Sequence, residues 1–198
     1  MSKRLALFDF DGTITNRDTL IDFIIYTHGY FGFVLGFTLM LPYLIGYKLK
    51  IIPNYRAKER VLEYFYKGKK IEELEKRGGA YVRERLPQLL RDSAMAKIAE
   101  HKSTGDRVIV ISASSDIWIK EFISQYNLEI IATKLEVIDG VLSGKIDGKN
   151  CFGVEKVNRL KEYLDVSEYD EIVAYGDSSG DREMLAFANK GYYRVFNR

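Results

Sequence analysis

Short apolar runs recur along this chain, and stretches with the 3.6-residue period of an amphipathic helix separate most of them. The runs predict buried strands, and the periodic stretches predict helices that cover the strands. The predicted strands are 4–8, 107–111, 129–133, 171–175 and 192–196. Strands that alternate with helices indicate an α/β fold with a parallel sheet and right-handed crossovers.

The predicted helices are 57–66, 71–86, 94–101, 116–126 and 153–163, and another follows Asp181 as far as Ala188. Two apolar runs, 135–138 and 141–146, flank Asp139-Gly140, and this pattern predicts a β-hairpin. Residues 15–91 contain helical patterns only, between the first predicted strand and the rest. We therefore expect a helical insertion at 15–91 and a sheet domain made of 1–14 and 92–198.

Residues 23–47 contain no Asp, Glu, Lys or Arg, and this length reaches the threshold for a membrane span. Gly32, Gly36, Pro42 and Gly46 interrupt the run, and the mean hydropathy of the chain is only −0.18. A span would also separate the first strand from the rest of the sheet. The alternatives are a buried helical element or dimer surface, an element that lies in a membrane interface, and a true span.

Composition narrows the class of protein and its compartment. Apolar residues make up 46% of the chain and charged residues 29%, as in ordinary globular proteins. A net charge of +2 does not indicate a nucleic-acid partner. The single Cys151 suits a reducing compartment, and residues 1–4 lead into a strand without a secretory signal, so we expect a cytoplasmic protein. Cys151 and Trp118 are interpreted as packing residues, and His28 and His101 as surface or structural residues without a catalytic role.

The candidate chemistry follows the predicted strands. Asp9 and Asp11 follow the first strand, Ser112 follows the second, and the pair Asp177/Asp181 follows the strand at 171–175. Ligands of open α/β sheets bind beyond the carboxyl ends of the strands, so these side chains are expected to converge. Lys156, near the start of a predicted helix, adds a positive charge.

Carboxylates crowded in one crevice repel each other unless a cation lies among them. Carboxylate and water oxygens are ligands for Mg²⁺, which also binds phosphate oxygens. A lysine and a hydroxyl would hold the phosphate, and one carboxylate would remain as a nucleophile. The set predicts a metal-assisted phosphoryl site. Two other classes stay open, a phosphoacceptor signalling protein and a membrane-associated binding protein with an inactive core.

The order and spacing of these residues resemble the haloacid dehalogenase (HAD) superfamily. The matching motifs are Asp9-Phe10-Asp11-Gly12-Thr13, Ser112, Lys156 and Gly176-Asp177-Ser178-Ser179-Gly180-Asp181. The insertion at 15–91 resembles the helical type-1 cap of that superfamily. The hairpin at 137–148 and the block at 151–156 resemble the phosphoserine-phosphatase-like branch, subfamily IB. The resemblance implies a Rossmann-like parallel sheet and a phosphatase.

The resemblance also implies roles for single residues. Asp9 is expected to be the nucleophile that forms an aspartyl phosphate, and Asp11 the general acid and base. Thr13, Ser112 and Lys156 are expected to hold the phosphoryl oxygens. The implied ligands of Mg²⁺ are Asp9, the backbone carbonyl of Asp11, and Asp177, with Asp181 as a further ligand or a support.

The substrate is less well specified. Phosphoserine phosphatases hold their substrate with a Glu and an Arg of the cap, and Asp18 and Arg60 are approximate counterparts here. A phosphoserine-like or other small phosphate ester is therefore one expectation. The apolar run and the block at 151–156 also resemble, more weakly, the phosphatidylglycerophosphatase C type, which implies a lipid phosphate. Region 23–47 would then contact a membrane peripherally or form a homodimer.

Overall fold

The computed structural model of the protein describes residues 3–196. Its centre is a six-stranded sheet with the strand order β4-β3-β2-β1-β5-β6. The strands are β1 (Arg4–Phe8), β2 (Arg107–Ser115), β3 (Glu129–Ile138), β4 (Val141–Asp147), β5 (Glu171–Gly176) and β6 (Lys190–Tyr193). Neighbouring strands are parallel except for the β3-β4 hairpin, which is antiparallel. The predicted α/β class is confirmed.

Helices cover the sheet, and β1 is its buried centre. The α-helices are α1 (Thr19–Lys48), α2 (Asn54–Tyr66), α3 (Ile71–Glu84), α4 (Asp92–Ser103), α5 (Lys120–Gln125), α6 (Val154–Tyr163) and α7 (Arg182–Phe187). Ala6 and Phe8 of β1 belong to one apolar cluster, and Leu5 and Leu7 belong to the cluster on the other face. The continuous apolar run of β1 is therefore explained by burial on both faces.

The helical insertion leaves and rejoins the sheet domain through one narrow neck. Thr15 pairs with Leu90 in an isolated antiparallel bridge. One residue further out, the backbone N–H of Arg91 donates to the carbonyl of Ile14 at 2.8 Å. Helices α1, α2 and α3 all lie between these two chain segments.

Helix α1 contains the whole apolar run 23–47, and its only non-helical residue is Gly29, with φ 71° and ψ 169°. Gly32, Gly36, Pro42 and Gly46 interrupt the apolar run in the sequence, and the helix continues through all four. Among residues 3–196, α1 is the one helix long and apolar enough to cross a membrane by length and composition alone.

Several predicted bounds differ from the structure. β2 continues through the serines to Ser115 after a shift of register against β3, and β3 joins the two predicted runs 129–133 and 135–138. Residues 116–126 form a 3₁₀ turn followed by α5. The last strand is Lys190–Tyr193 instead of 192–196. It is an exposed edge strand, so its position is set by pairing with β5 and not by apolar residues.

Candidate active site

A cavity of about 1350 Å³ lies beyond the carboxyl ends of the central strands, between the sheet and the helical insertion. It brings together most of the candidate site residues that the sequence singled out. These are Asp9, Asp11, Thr13, Lys156, Asp177 and Asp181. Their convergence follows from the sheet order, because β1 lies directly between β2 and β5.

Asp9, Thr13, Lys156, Asp177 and Asp181 form what we call the floor of this cavity. Lys156 contacts two of the acids there. Its ammonium is fully buried and donates to Asp9 Oδ1 at 2.5 Å, to Asp181 Oδ1 at 2.6 Å and to the carbonyl of Ile111 at 2.8 Å. Burial alone would lower the pKa of Lys156, but the carboxylates of Asp9 and Asp181 outweigh burial and raise it. Lys156 is therefore a permanent positive charge beside Asp9.

Three polar atoms of the floor are buried without a hydrogen-bond partner among the described residues: Asp9 Oδ2, Thr13 Oγ1 and Asp177 Oδ1. Such atoms are costly unless a ligand satisfies them. Burial also raises the pKa of Asp9, although Lys156 opposes this shift. The floor is thus built for a group that can bind oxygen atoms and compensate negative charge.

The carboxylates of this floor have the donor set for a hard divalent cation. Asp9, Asp177 and Asp181 each place one oxygen within 4.8 Å of those of the other two. Asp181 already accepts from Lys156 through Oδ1, and its Oδ2 accepts from the N–H and the hydroxyl of Ser178, both at 2.9 Å. Asp9 and Asp177 each keep one unpartnered oxygen. The residues fit Mg²⁺, with Asp181 better placed as a support than as a ligand.

Gly12 allows the loop after β1 to approach the loop after β5. Its φ is +82°, and a Cβ at this position would lie 2.4 Å from Asp177 Oδ2. Any side chain here would be strained and would also displace the Asp177 carboxylate. The glycine between Asp11 and Thr13 therefore keeps the acidic groups of the two loops in contact.

These residues coincide with a family match. The sequence profile of haloacid dehalogenase-like hydrolases matches residues 6–186. The chain belongs to this family of hydrolases. Protein CicA of Caulobacter vibrioides is 33% identical over 196 residues, covering 97% of this chain and 86% of the relative.

Solved structures support the same fold. A Bordetella pertussis protein of unknown function superposes with a TM-score of 0.83 at 23% identity, covering 95% of this chain and 88% of that one. A phospho-aspartyl intermediate analogue of phosphoserine phosphatase superposes with a TM-score of 0.69 at 24% identity, covering 98% and 86%. At these identities the likeness establishes the HAD fold.

Asp11 of this HAD chain is held by a set of donors that the sequence did not reveal. Its Oδ1 accepts from the backbone N–H of Thr19 at 2.7 Å and from the Thr19 hydroxyl at 2.6 Å, and its Oδ2 accepts from the Ser114 hydroxyl at 2.5 Å. The indole N–H of Trp118 donates to the Thr19 hydroxyl at 3.2 Å. The fully buried Trp118 is thus a packing residue, as predicted, that also orients Thr19.

Ser112 lies at the expected strand position but not on the cavity surface. It is fully buried, and its hydroxyl oxygen accepts from the backbone N–H of Ser114 at 3.0 Å. Ala113 and Ser114, the next two residues, line the cavity instead. As a hydroxyl, the Ser112 side chain also has a proton that it can donate.

The two predicted substrate residues of the insertion differ in position. Asp18 lines the cavity and caps α1 by accepting from the N–H of Ile21 at 3.1 Å. Burial raises the pKa of Asp18 to about 6, and the negative charge of Asp11 adds to this shift. Arg60, in contrast, is outside the cavity lining, exposed, and paired with Glu63 at 2.8 Å. The structure therefore brings Asp18 to the cavity and leaves Arg60 outside the cavity lining.

Lys58, two residues before Arg60, faces the cavity instead. Its ammonium donates to the carbonyl of Ala113 and to Asn150 Oδ1, the latter at 3.1 Å. Burial lowers the pKa of Lys58 to about 8, although the negative charges of Asp18 and Asp11 oppose this shift. The sequence did contain a signal, because a helical period places position 58 beside the buried positions 57, 61 and 62.

One wall of the cavity is apolar. Phe37, Leu44 and Tyr47 of α1 line it together with Val61 of α2. The polar floor and the apolar wall belong to the same space. The cavity can therefore contact both a phosphate group and an apolar part of a ligand.

The other residues singled out in the sequence lie outside the cavity lining. Cys151 is buried, and burial raises the pKa of its thiol to about 11. His101 is buried between Asp106 at 2.7 Å and the Tyr175 hydroxyl at 2.9 Å. His28 packs against the rings of Phe65 and Tyr66 on the insertion.

Proposed function

We propose that this hydrolase is a Mg²⁺-dependent phosphatase that cleaves a phosphate monoester through an aspartyl phosphate on Asp9. The observation that supports this most directly is the floor of the cavity. Lys156 there touches both Asp9 and Asp181, while Asp9 and Asp177 keep buried oxygens without partners. A positive charge beside one oxygen of a nucleophilic carboxylate, with free ligand atoms next to it, suits attack on an anionic phosphate.

In this proposal Asp9, the backbone carbonyl of Asp11, and Asp177 hold Mg²⁺, and Asp181 supports them. When bound, the ion would supply positive charge that reduces the repulsion between a carboxylate and a phosphate. Asp181 keeps Lys156 in place through Oδ1 and the loop after β5 through Oδ2. Thr13 and Ser112 are proposed to donate hydrogen bonds to the phosphoryl oxygens. Lys156 is proposed to hold these oxygens by its positive charge, because its three ammonium protons go to Asp9, Asp181 and the carbonyl of Ile111.

Two proton transfers complete the reaction. Asp9 attacks phosphorus, and the P–O bond to the leaving group breaks as Asp11 gives that oxygen a proton. Asp11 then takes a proton from a water molecule, whose oxygen attacks phosphorus and releases Asp9 and inorganic phosphate. The hydroxyl donors of Thr19 and Ser114 fix the position of Asp11 for both transfers.

We further propose that residues 1–14 and 92–198 form the catalytic core and that 15–91 form its cap. The neck at Thr15 and Leu90 supports this division. In HAD enzymes the core would carry the chemistry and the cap would select the leaving group. A cytoplasmic location is part of the same proposal.

The substrate has two candidates. A phosphoserine-like or other small phosphate ester would be held by the polar groups of the cavity, Asp18 and Lys58 among them. A lipid phosphate is favoured by a separate observation, the apolar wall of Phe37, Leu44 and Tyr47. A phosphoacceptor signalling role fits less well, since it requires neither a second acid at Asp11 nor a helical insertion over the site.

The test is a screen of phosphate esters in the presence of Mg²⁺, with phosphoserine, sugar phosphates and lipid phosphates. We expect release of phosphate by the wild-type protein, loss of release in excess chelator, and recovery on adding Mg²⁺. Asp9→Asn, purified in parallel, should release none and should not become labelled by a phosphorylated substrate. Full activity in chelator would refute the metal role, and turnover by Asp9→Asn would refute the nucleophile.

A further inference from the structure

Helix α1 presents a wide apolar surface without a protein partner among the described residues. We define its outer face as Phe31, Val34, Leu35, Leu39, Leu41 and Ile45, all of which are exposed. Phe31 is 83% exposed and Leu39 is 53% exposed. Monomeric soluble proteins rarely leave continuous apolar surfaces of this kind uncovered.

The opposite side of α1 packs against the rest of the protein along the length of the helix. Phe33, Phe37, Met40 and Leu44 pack against the apolar cluster that includes α2. Gly36 lies so close to α2 that a Cβ would be 2.3 Å from the ring of Phe65. A helix fixed lengthwise on the protein cannot be surrounded by lipid, so a transmembrane position for α1 conflicts with this packing.

The charged residues of the segment that carries the outer face have one sign. Residues 23–58 contain no Asp or Glu, whereas Lys48, Lys50 and Arg56 follow the apolar run and are exposed. In a symmetric dimer the same patch of both copies would be in contact. The cations of the two copies would then lie near each other, and the segment supplies no carboxylate to neutralise them. An anionic lipid surface complements both the apolar side chains and the cations.

Tyrosines occupy the edges of this surface. Tyr30 begins the helix after Gly29, Tyr43 lies near its end, and Tyr55 follows on α2, all exposed. Tyrosine is enriched at membrane interfaces, where its ring is buried and its hydroxyl stays hydrated. The surface thus has an apolar centre, tyrosines at its edges and basic residues at one end. This pattern is typical of a helix that lies in the plane of the membrane–water interface.

We propose that the outer face of α1 docks on an anionic lipid bilayer, with the helix parallel to the membrane plane. The inner side of the same helix contributes Phe37, Leu44 and Tyr47 to the cavity. Docking would therefore leave only the thickness of α1 between the lipid and the apolar wall of the cavity. An amphiphilic phosphate in the membrane could then reach the cavity. This consequence rests on the proposed function, whereas the docking itself does not.

The experiment is co-flotation with vesicles of phosphatidylcholine alone and of phosphatidylcholine mixed with phosphatidylglycerol. We expect the wild-type protein to float with the anionic vesicles and much less with the neutral ones. Leu35→Ser/Leu39→Ser should lower the partition coefficient by about 10- to 100-fold, because each buried leucine contributes strongly to transfer. Lys48→Gln/Lys50→Gln should lower it by about 25-fold at low salt, at roughly fivefold for each lysine.

The matched control is Val137→Ser/Ile138→Ser, which removes two exposed apolar side chains from the β3-β4 hairpin. This variant should bind anionic vesicles like the wild type, and circular dichroism should show all variants folded. Asp9→Asn should also bind like the wild type, because the nucleophile lies away from the outer face. If the wild-type protein binds anionic vesicles but releases no phosphate in the ester screen, docking stands and only the proposed enzyme is refuted. Docking is refuted if the wild type ignores both vesicle types, if the hairpin variant loses as much binding as the outer-face variant, or if sedimentation shows a dimer that Leu35→Ser/Leu39→Ser dissociates.

Discussion

Replacing Lys58 by Met tests whether the cavity-facing cation of α2 recognises the substrate. Methionine keeps most of the length of the side chain and removes the charge. Protein groups take two of the three ammonium protons of Lys58, namely the carbonyl of Ala113 and Asn150 Oδ1. The third is available to an anionic group in the cavity. We expect Lys58→Met to raise KM and leave kcat nearly unchanged, as for a group that binds ground state and transition state alike.

The magnitude follows from the type of contact. A hydrogen bond from a charged donor contributes about 1.5–3 kcal/mol, so kcat/KM should fall by about 10- to 150-fold. The folded protein should lose little stability. Burial lowers the pKa of Lys58 to about 8, which means that the fold holds this charge at a cost. Removing the charge relieves that cost and offsets the two lost hydrogen bonds, and urea unfolding would measure the net change.

The pH dependence of kcat/KM tests the role of Lys58 independently. Lys58 is charged below about pH 8 in the folded protein and loses its proton as the pH rises through that value. The kcat/KM of the wild type should therefore decline above about pH 8, and this limb should be absent from Lys58→Met. Stability should change in the opposite direction. Between about pH 8 and the usual lysine pKa of 10.5 the unfolded chain binds more protons at Lys58, so this residue makes the protein more stable as the pH rises.

The control lies two residues away on the same helix. Arg60→Met removes a cation that is exposed and paired with Glu63 outside the cavity, so its kinetic constants should match those of the wild type. Steady-state kinetics of both variants, on the best substrate of the ester screen, decide between the two positions. A larger rise in KM for Arg60→Met than for Lys58→Met would refute the assignment.

Three further changes have distinct expected results. Asp11→Asn should slow formation or breakdown of the phosphoenzyme by about 10²- to 10⁴-fold in rapid-quench kinetics, as is typical of acid–base groups. Lys156→Ala should cost far more activity than Cys151→Ser, because only Lys156 faces the charge that builds on the phosphoryl group, and equal losses would mean that the site is misplaced. Gly36→Ala should lower the free energy of unfolding by about 1–3 kcal/mol in urea denaturation, because its Cβ would lie 2.3 Å from the ring of Phe65.

The acids and Lys156 could be predicted from the sequence because their positions depend on local rules. Asp9 follows a run buried on both faces, and Asp177 follows another such run, so each is delivered to the same edge of the sheet by strand polarity. Lys156 lies in the first turn of α6, whose start the sequence also marks. The positions of Asp9, Asp177 and Lys156 can therefore be predicted without knowing which distant residues contact them.

The donors around Asp11 could not be predicted in this way. Thr19 and Ser114 are 8 and 103 residues away from Asp11 in the chain, and they meet only when α1 begins beside the end of β2. Ser114 reaches the cavity because β2 shifts its register between Ser112 and Ser115. A register shift between two strands does not change the pattern of apolar and polar residues in the sequence. The sequence alone therefore favours Ser112 over Ser114 as the site residue.

The composition of the apolar run 23–47 did not specify how its glycines are used. Gly32, Gly36, Pro42 and Gly46 interrupt the run in the sequence, yet α1 is continuous at all four and its non-helical residue is Gly29. Gly36 and Gly46 serve as contact points instead, since Cβ atoms there would lie 2.3 Å from Phe65 and 2.7 Å from Ile52. These glycines let one side of α1 approach α2 and the segment that follows the helix, while the outer face stays exposed. The same run can therefore have the composition of a membrane span and still be packed against the protein along one side.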